Sequence, residues 1–137
     1  MKTTKVLQTN ISETNIKEVS EVLNESAGIR VAICNANTLV RSMRDQNIKN
    51  LINNFTIKTP DGFPVAKALS ILTKQNFPRV DGYKVFMQTI KDGLDNNKKH
   101  YFFGNNDTTT SLMVDKLNAM FPEIKITGPL CPEFLSA

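Results

Sequence analysis

The chain has 137 residues, of which 40% are hydrophobic and 22% charged. That is long enough for one domain with a real core, and the composition is ordinary for a soluble globular protein. The formal charge of +4 is mild, and its lysines and arginines are scattered apart from Lys98 and Lys99, which argues against a nucleic-acid binder with one basic face.

The segment Met1 to Asn10 lacks the apolar core of a signal peptide, and no apolar run approaches a bilayer span. A cytoplasmic protein is the expectation. Cys34 and Cys131 stand too far apart for a zinc spacing, and without a secretory signal both are expected as reduced thiols. No nucleophile motif surrounds either cysteine, so a catalytic pair with the single histidine, His100, has little support.

In chain order, Ile11 to Glu25 reads as a helix. Ser12 or Thr14 can cap it, Ile16, Val19, Val22 and Leu23 share a face, and Gly28 stops it. The β-branched run Ile29 to Cys34 reads as a buried strand. Asn35 to Thr38 is a turn, a helix begins near Thr38, and a further turn or two of helix follows around Gln46 to Leu51. Phe55 to Lys58 reads as the next strand. Thr59-Pro60-Asp61-Gly62 breaks the chain, and Pro64 suits the first turn of a helix whose apolar stripe is Val65, Ala68, Leu69 and Leu72. A loop through Asn76, Pro78 and Gly82 leads to a helix marked by Val85, Phe86, Ile90 and Leu94. His100 to Phe103 reads as a strand, Gly104 to Asp107 as a turn, and Leu112, Met113, Leu117, Met120 and Phe121 as a helical stripe. Ile124 to Thr127 is the last strand, closed by Gly128-Pro129.

Alternating strands and helices predict an α/β fold: a Rossmann-like three-layer sandwich with a mostly parallel sheet and helices on both faces. Right-handed crossovers place the strand-to-helix loops at one edge, where such sheets bind ligands. The loops at Asn35, Asp61 and Gly104 are therefore expected to form one site. Asp61 can take a proton from an attacking hydroxyl; its plain alternative is a turn or helix cap. Gly104 and Asn105 open a helix N-terminus to a phosphate, although the spacing is neither GxGxxG nor a P-loop. Asn35 and Asn37 can orient a sugar or acceptor through their amides, or simply cap a turn. Arg79 can fork onto a phosphate, or serve as a solvated surface residue.

Several runs resemble, in order, segments of the WecG/TagA/CpsF glycosyltransferase family. VAICNANTLV from Val31 is similar to a strand-ending Thr-x-Asn segment: Asn35 matches the Asn, and Ile33 stands where the family has Thr. TPDGFPVAKAL from Thr59 resembles the Pro-Asp-Gly segment, whose Asp, here Asp61, is the proposed base. RVDGYKVF matches an Arg-x-x-Gly-x-Asp-hydrophobic segment at Arg79 and Gly82, with Lys84 replacing the acidic residue. YFFGNND from Tyr101 is similar to the glycine loop after a central strand. FPEIKITG from Phe121 and CPEF from Cys131 resemble the last segments, with Glu133 for a second Pro.

The resemblance runs from about Val31 to Phe134. It implies a GT-E-like fold and an inverting, metal-independent transfer of N-acetylmannosamine or a related sugar from a UDP-sugar. The acceptor would be a polyprenyl-diphosphate-linked sugar at the inner face of the bacterial membrane, with peripheral membrane contact. No cofactor is implied, because the UDP-sugar is a substrate. The products would feed teichoic acid, enterobacterial common antigen, capsule or exopolysaccharide. Against the family the chain reads as one domain, 1–137, truncated at its C-terminus: further strands, a Pro-Lys-Gln-Glu-like motif and C-terminal arginines are expected after the last segment. Two alternatives stay open. One is an inactive nucleotide-sugar-binding module that relies on a partner chain or self-association. The other is an unrelated nucleotide-binding domain of the same fold.

Overall fold

The computed structural model describes residues 1–132, so Glu133 and Phe134 of the CPEF run lie outside the described residues. The protein is α/β and Rossmann-like, and it divides into two compact units, the first Met1–Thr89 and the second beginning at Ile90.

The first unit opens with an antiparallel hairpin, β1 (Thr3–Val6) and β2 (Thr9–Ser12). The sequence reading had assigned Ile11 and Ser12 to a helix. Val6, Thr9, Ile11 and Ser12 are instead buried as strand residues, and the helix α1 starts later, at Ile16–Glu25. Its cap is Asn15, whose side chain accepts the Glu18 N–H at 3.1 Å. Val19 and Ile16 still face inward as the helical spacing requires. The hairpin is pinned by Glu13, which accepts from the Thr4 hydroxyl at 2.7 Å and pairs with Lys2 at 3.2 Å.

The centre of the unit is a parallel pair, β3 (Val31–Cys34) and β4 (Ile57–Pro60), in register from Val31 opposite Ile57 to Cys34 opposite Pro60. Alternation along these strands sends residues to opposite faces. Ala32 and Cys34 join a core made with Leu39 of α2 (Ala36–Arg44), Ile52 of α3 (Gln46–Asn53), and Val65 and Leu69 of α4 (Phe63–Thr73). Val31 and Ile57 join a second core with Val19, Val80 and Val85, the last on α5 (Gly82–Leu94). The pair therefore has a helical layer on each face. Each fully buried Val or Leu contributes roughly 1.5–3 kcal/mol. Beside β4 the hairpin contributes a side-chain contact rather than a ladder: the Lys58 N–H donates to Ser12 Oγ at 3.1 Å.

In the second unit β5 (Lys99–Phe103) and β6 (Lys125–Leu130) pair in parallel around α6 (Asp107–Met120). The strand β6 runs through Gly128-Pro129 instead of ending there, because the register shifts between His100 and Tyr101 and sets Tyr101 opposite Gly128. A Cβ at Gly128 would lie 3.1 Å from the Tyr101 ring, tighter than such contacts normally are. Among the described residues, no helix is long and apolar enough to cross a membrane.

Candidate functional site

The carboxyl ends of β3 and β4 each lead into the N-terminus of a helix, α2 after β3 and α4 after β4. Both helices therefore begin at the same end of the parallel pair, where unpaired backbone N–H groups favour anions.

Asn35 is the cap of α2. Its Oδ1 accepts the Thr38 N–H at 3.0 Å and the Thr38 hydroxyl at 3.2 Å. Asn37 lies exposed in the first turn. The amide oxygen of Asn35 thus has a structural task, on a residue that is itself exposed.

Asp61 is held by its backbone, its N–H donating to the Cys34 carbonyl at 3.1 Å and the Thr59 carbonyl at 3.0 Å. The next residue, Gly62, has φ +78° and ψ 151°, a conformation that disfavours a side chain. Gly62 occupies the cap position of α4, and no side chain caps that helix. The Asp61 carboxylate is therefore not used as a cap. It points to Arg79, whose Nε lies 3.7 Å from Asp61 Oδ1, and it is 22% exposed.

Arg79 precedes Val80, a fully buried residue whose N–H donates to the Pro60 carbonyl at 3.0 Å. That bond ties the 79–81 segment to the end of β4. Arg79 also reaches Asp81, Nη2 to Oδ2 at 3.4 Å, and Lys84 Nζ lies 3.8 Å from the same oxygen. The other oxygen of Asp81 accepts the Lys84 N–H at 3.0 Å and so caps α5. Asp81 is buried, and the sequence reading did not single it out. The signal was present: an Asp three residues before the Lys84 N–H is helix-cap spacing. An acidic charge therefore meets Lys84 from Asp81. Gly82 lies against Ile33, and a Cβ there would meet Ile33 at 3.5 Å, an ordinary contact. Ile33 fills with hydrocarbon the position where the resemblance expected a Thr hydroxyl.

Between α4 and residues 76–79 lies a cleft of about 360 Å³, lined by Phe63, Lys67, Ser70, Asn76, Phe77 and Arg79 among others. Arg79 belongs both to this cleft and to the ion pair with Asp61. Sequence reading did not find the cleft, because its side chains come from the outer face of a helix and from a loop.

Gly104 and Asn105 belong to the second unit. Gly104 has φ +122° and Asn105 φ +64°, so the chain turns sharply from β5 into α6. Asn105 Oδ1 accepts the Asn106 N–H at 3.0 Å, and Asn106 caps α6 by accepting from the Thr109 N–H at 2.9 Å. The Gly104 N–H donates to the Leu130 carbonyl at 3.0 Å, so it is committed to the sheet.

The two thiols and the histidine have other surroundings. Cys34 is fully buried, and burial pushes its thiol up to about 11, which keeps it protonated and a poor nucleophile. His100, on β5, is shifted downward by burial. Among the described residues no group of three His, Cys, Asp or Glu side chains is placed to hold a metal ion.

In α/β sheets of this kind ligands bind at the carboxyl ends of the parallel strands, the end of the β3–β4 pair from which Asp61 follows. The chain is a member of the WecG/TagA/CpsF family of glycosyl transferases, whose family model matches residues 4–137. Membership implies glycosyltransferase activity in cell-surface polysaccharide synthesis. No curated protein matches the chain.

Proposed function

We propose that the protein transfers N-acetylmannosamine or a related sugar, with inversion, from a UDP-sugar to a polyprenyl-diphosphate-linked sugar. Asp61 is the base that takes the acceptor hydroxyl's proton as that oxygen attacks the anomeric carbon and UDP departs. The observation that carries this reading is the Asp61 carboxylate itself. It stands at a strand end, partly open to solvent, unused as a helix cap and, among the described residues, with its side chain ion-paired to Arg79. Such a pair between partly exposed groups is worth roughly 0.2–1 kcal/mol, so an anionic substrate can draw Arg79 away. Asn35 orients sugar or acceptor at the neighbouring strand end. The site works without a cofactor, at the inner face of the membrane.

The test is UDP release by the purified chain given UDP-N-acetylmannosamine and a short lipid-diphosphate acceptor. Release that requires both substrates and persists in a chelator supports the reading. Release that is absent, or that occurs without the acceptor, counts against it.

One observation favours a second reading, a module completed by another chain or by a second copy. In the second unit Tyr101, Phe103, Leu112, Met120 and Leu130 are large apolar residues left exposed. Such surfaces mark interaction sites. A concentration-dependent rise in mass by light scattering, with activity appearing only in the larger species, supports that reading over the first.

A further inference from the structure

Arg79 is a long side chain, 58% exposed, and such a chain loses much rotamer freedom when it is held. Two carboxylates flank it. Its Nε lies 3.7 Å from Asp61 Oδ1, and its Nη2 lies 3.4 Å from Asp81 Oδ2. Nε and Nη2 form one edge of the guanidinium, the edge on which an arginine can take a single carboxylate with two parallel bonds. Here that edge is divided between two carboxylates. They are not equally fixed. The Asp81 side chain is only 10% exposed, and its Oδ1 accepts the Lys84 N–H at 3.0 Å. The Asp81 carbonyl accepts the Val85 N–H at 3.1 Å, and the preceding residue, Val80, is bonded to the Pro60 carbonyl. Asp81 is thus locked by its side chain and by the backbone on both sides. The Asp61 carboxylate caps no helix and is more exposed. Orientation therefore passes from the start of α5, through the guanidinium, to Asp61.

We propose that Asp81 is a positioning residue for the transfer, and that it acts by holding Arg79 off the Asp61 carboxylate. The guanidinium is planar, so a hold on Nη2 limits how closely Nε can approach Asp61. At 3.7 Å that pair is ionic and lies beyond hydrogen-bond reach. The Asp61 oxygens therefore stay open to the acceptor's proton while the cation stays near. Without the Asp81 charge the whole edge falls to Asp61, and Arg79 closes on it in a direct charge-assisted bond. Asp81 touches no reacting atom in this scheme. The proposal rests on the reading of Asp61 as the base.

The experiment reads the Arg79 Nε–H by nitrogen-edited NMR and turnover by acceptor-dependent UDP release. Arg79→Gln identifies the signal by its loss. Asp81→Asn keeps an oxygen for the cap, and Asp81→Ser, which can also cap, serves where Asn does not fold. In the folded Asp81 variant the Arg79 Nε proton should move downfield as its bond to Asp61 forms, and turnover should fall about fivefold. The downfield move should vanish when Asp61→Asn is added. In an Arg79→Gln background the same Asp81 change should leave turnover where that background sets it, because the lever is gone. Three results would overturn the proposal: an unmoved Arg79 signal, a move towards the signals of the exposed arginines, or a fall in turnover as large without Arg79 as with it. The signal needs no turnover. A parent without acceptor-dependent release counts against Asp61 as the base, while the signal still decides whether Asp81 holds Arg79 away from it.

Discussion

Arg79 lies with its Nε 3.7 Å from Asp61 Oδ1 at the end of β4. The two come together because the buried Val80 N–H bonds to the Pro60 carbonyl and draws the 79–81 segment alongside the strand that delivers Asp61. Arg79 has a second anchor in Asp81 at 3.4 Å. The arginine is thus shared between a carboxylate proposed to react and one that caps a helix.

The cap should be separable from the charge. Asp81→Asn keeps an oxygen for the Lys84 N–H and loses only the pairs to Arg79 and Lys84, whose own side chains are largely exposed. Asp81→Ala loses the cap as well, which typically costs about 1 kcal/mol. Urea unfolding should therefore rank the parent above Asn and Asn above Ala. An Asn variant as unstable as Ala would show that the ion pairs, not the cap, hold the start of α5.

Gly62→Ala should be destabilising through backbone strain and not through crowding. A Cβ there would meet only Pro64 Cδ at 3.7 Å, but φ is +78°. A residue forced into such a region costs of order 1–3 kcal/mol. Relief of that strain would swing the adjacent Asp61, so turnover should fall along with the thermal midpoint. Unchanged stability would mean that the turn accommodates a side chain.

The thiols offer a chemical probe. Cys34 is buried and held protonated at neutral pH, whereas Cys131 is only partly buried and donates to the Thr110 hydroxyl at 3.3 Å. In a thiol titration at pH 8 the folded protein should release no more than one equivalent quickly, and the second only in denaturant. Two fast equivalents would contradict the buried position of Cys34.

Stability should also depend on His100. Burial lowers its value in the folded state below the ordinary value of 6.5, and among the described residues its Nε2 has no hydrogen-bond partner. The unfolded chain then takes up the proton first as pH falls. The contribution is complete above the unfolded value and is lost as pH drops through the folded one. The thermal midpoint should fall from pH 7.5 to pH 5, and less so in His100→Gln. An equal fall in both proteins would assign the effect to other groups.

How much of this could be read from the chain follows from which interactions are local. The strand before Asn35 and the helix around Pro64 were legible, because periodicity and proline act within a few residues. The break read from Thr59 to Gly62 begins only after Pro60, since Thr59 and Pro60 pair with β3 as the end of β4. The N-terminal hairpin was not legible. Ile11 and Ser12 alternate as well as they fit a helix, and the choice is made by burial against distant residues such as Lys58, whose N–H finds Ser12. The same holds for the site. Asp61 and Arg79 could each be named from their neighbours. Their pairing, the role of Asp81 and the cleft with Lys67 and Phe77 arise only when Val80 docks on β4 and α4 turns its outer face to a loop.

The central claim is that the Asp61 carboxylate is the base of a glycosyl transfer. The most direct measurement is acceptor-dependent UDP release by Asp61→Asn beside the parent, with circular dichroism and thermal unfolding on the same samples. The account predicts a fall of about 10² to 10⁴ in turnover with the fold unchanged. A folded Asn variant that turns over at the parent's rate would contradict it.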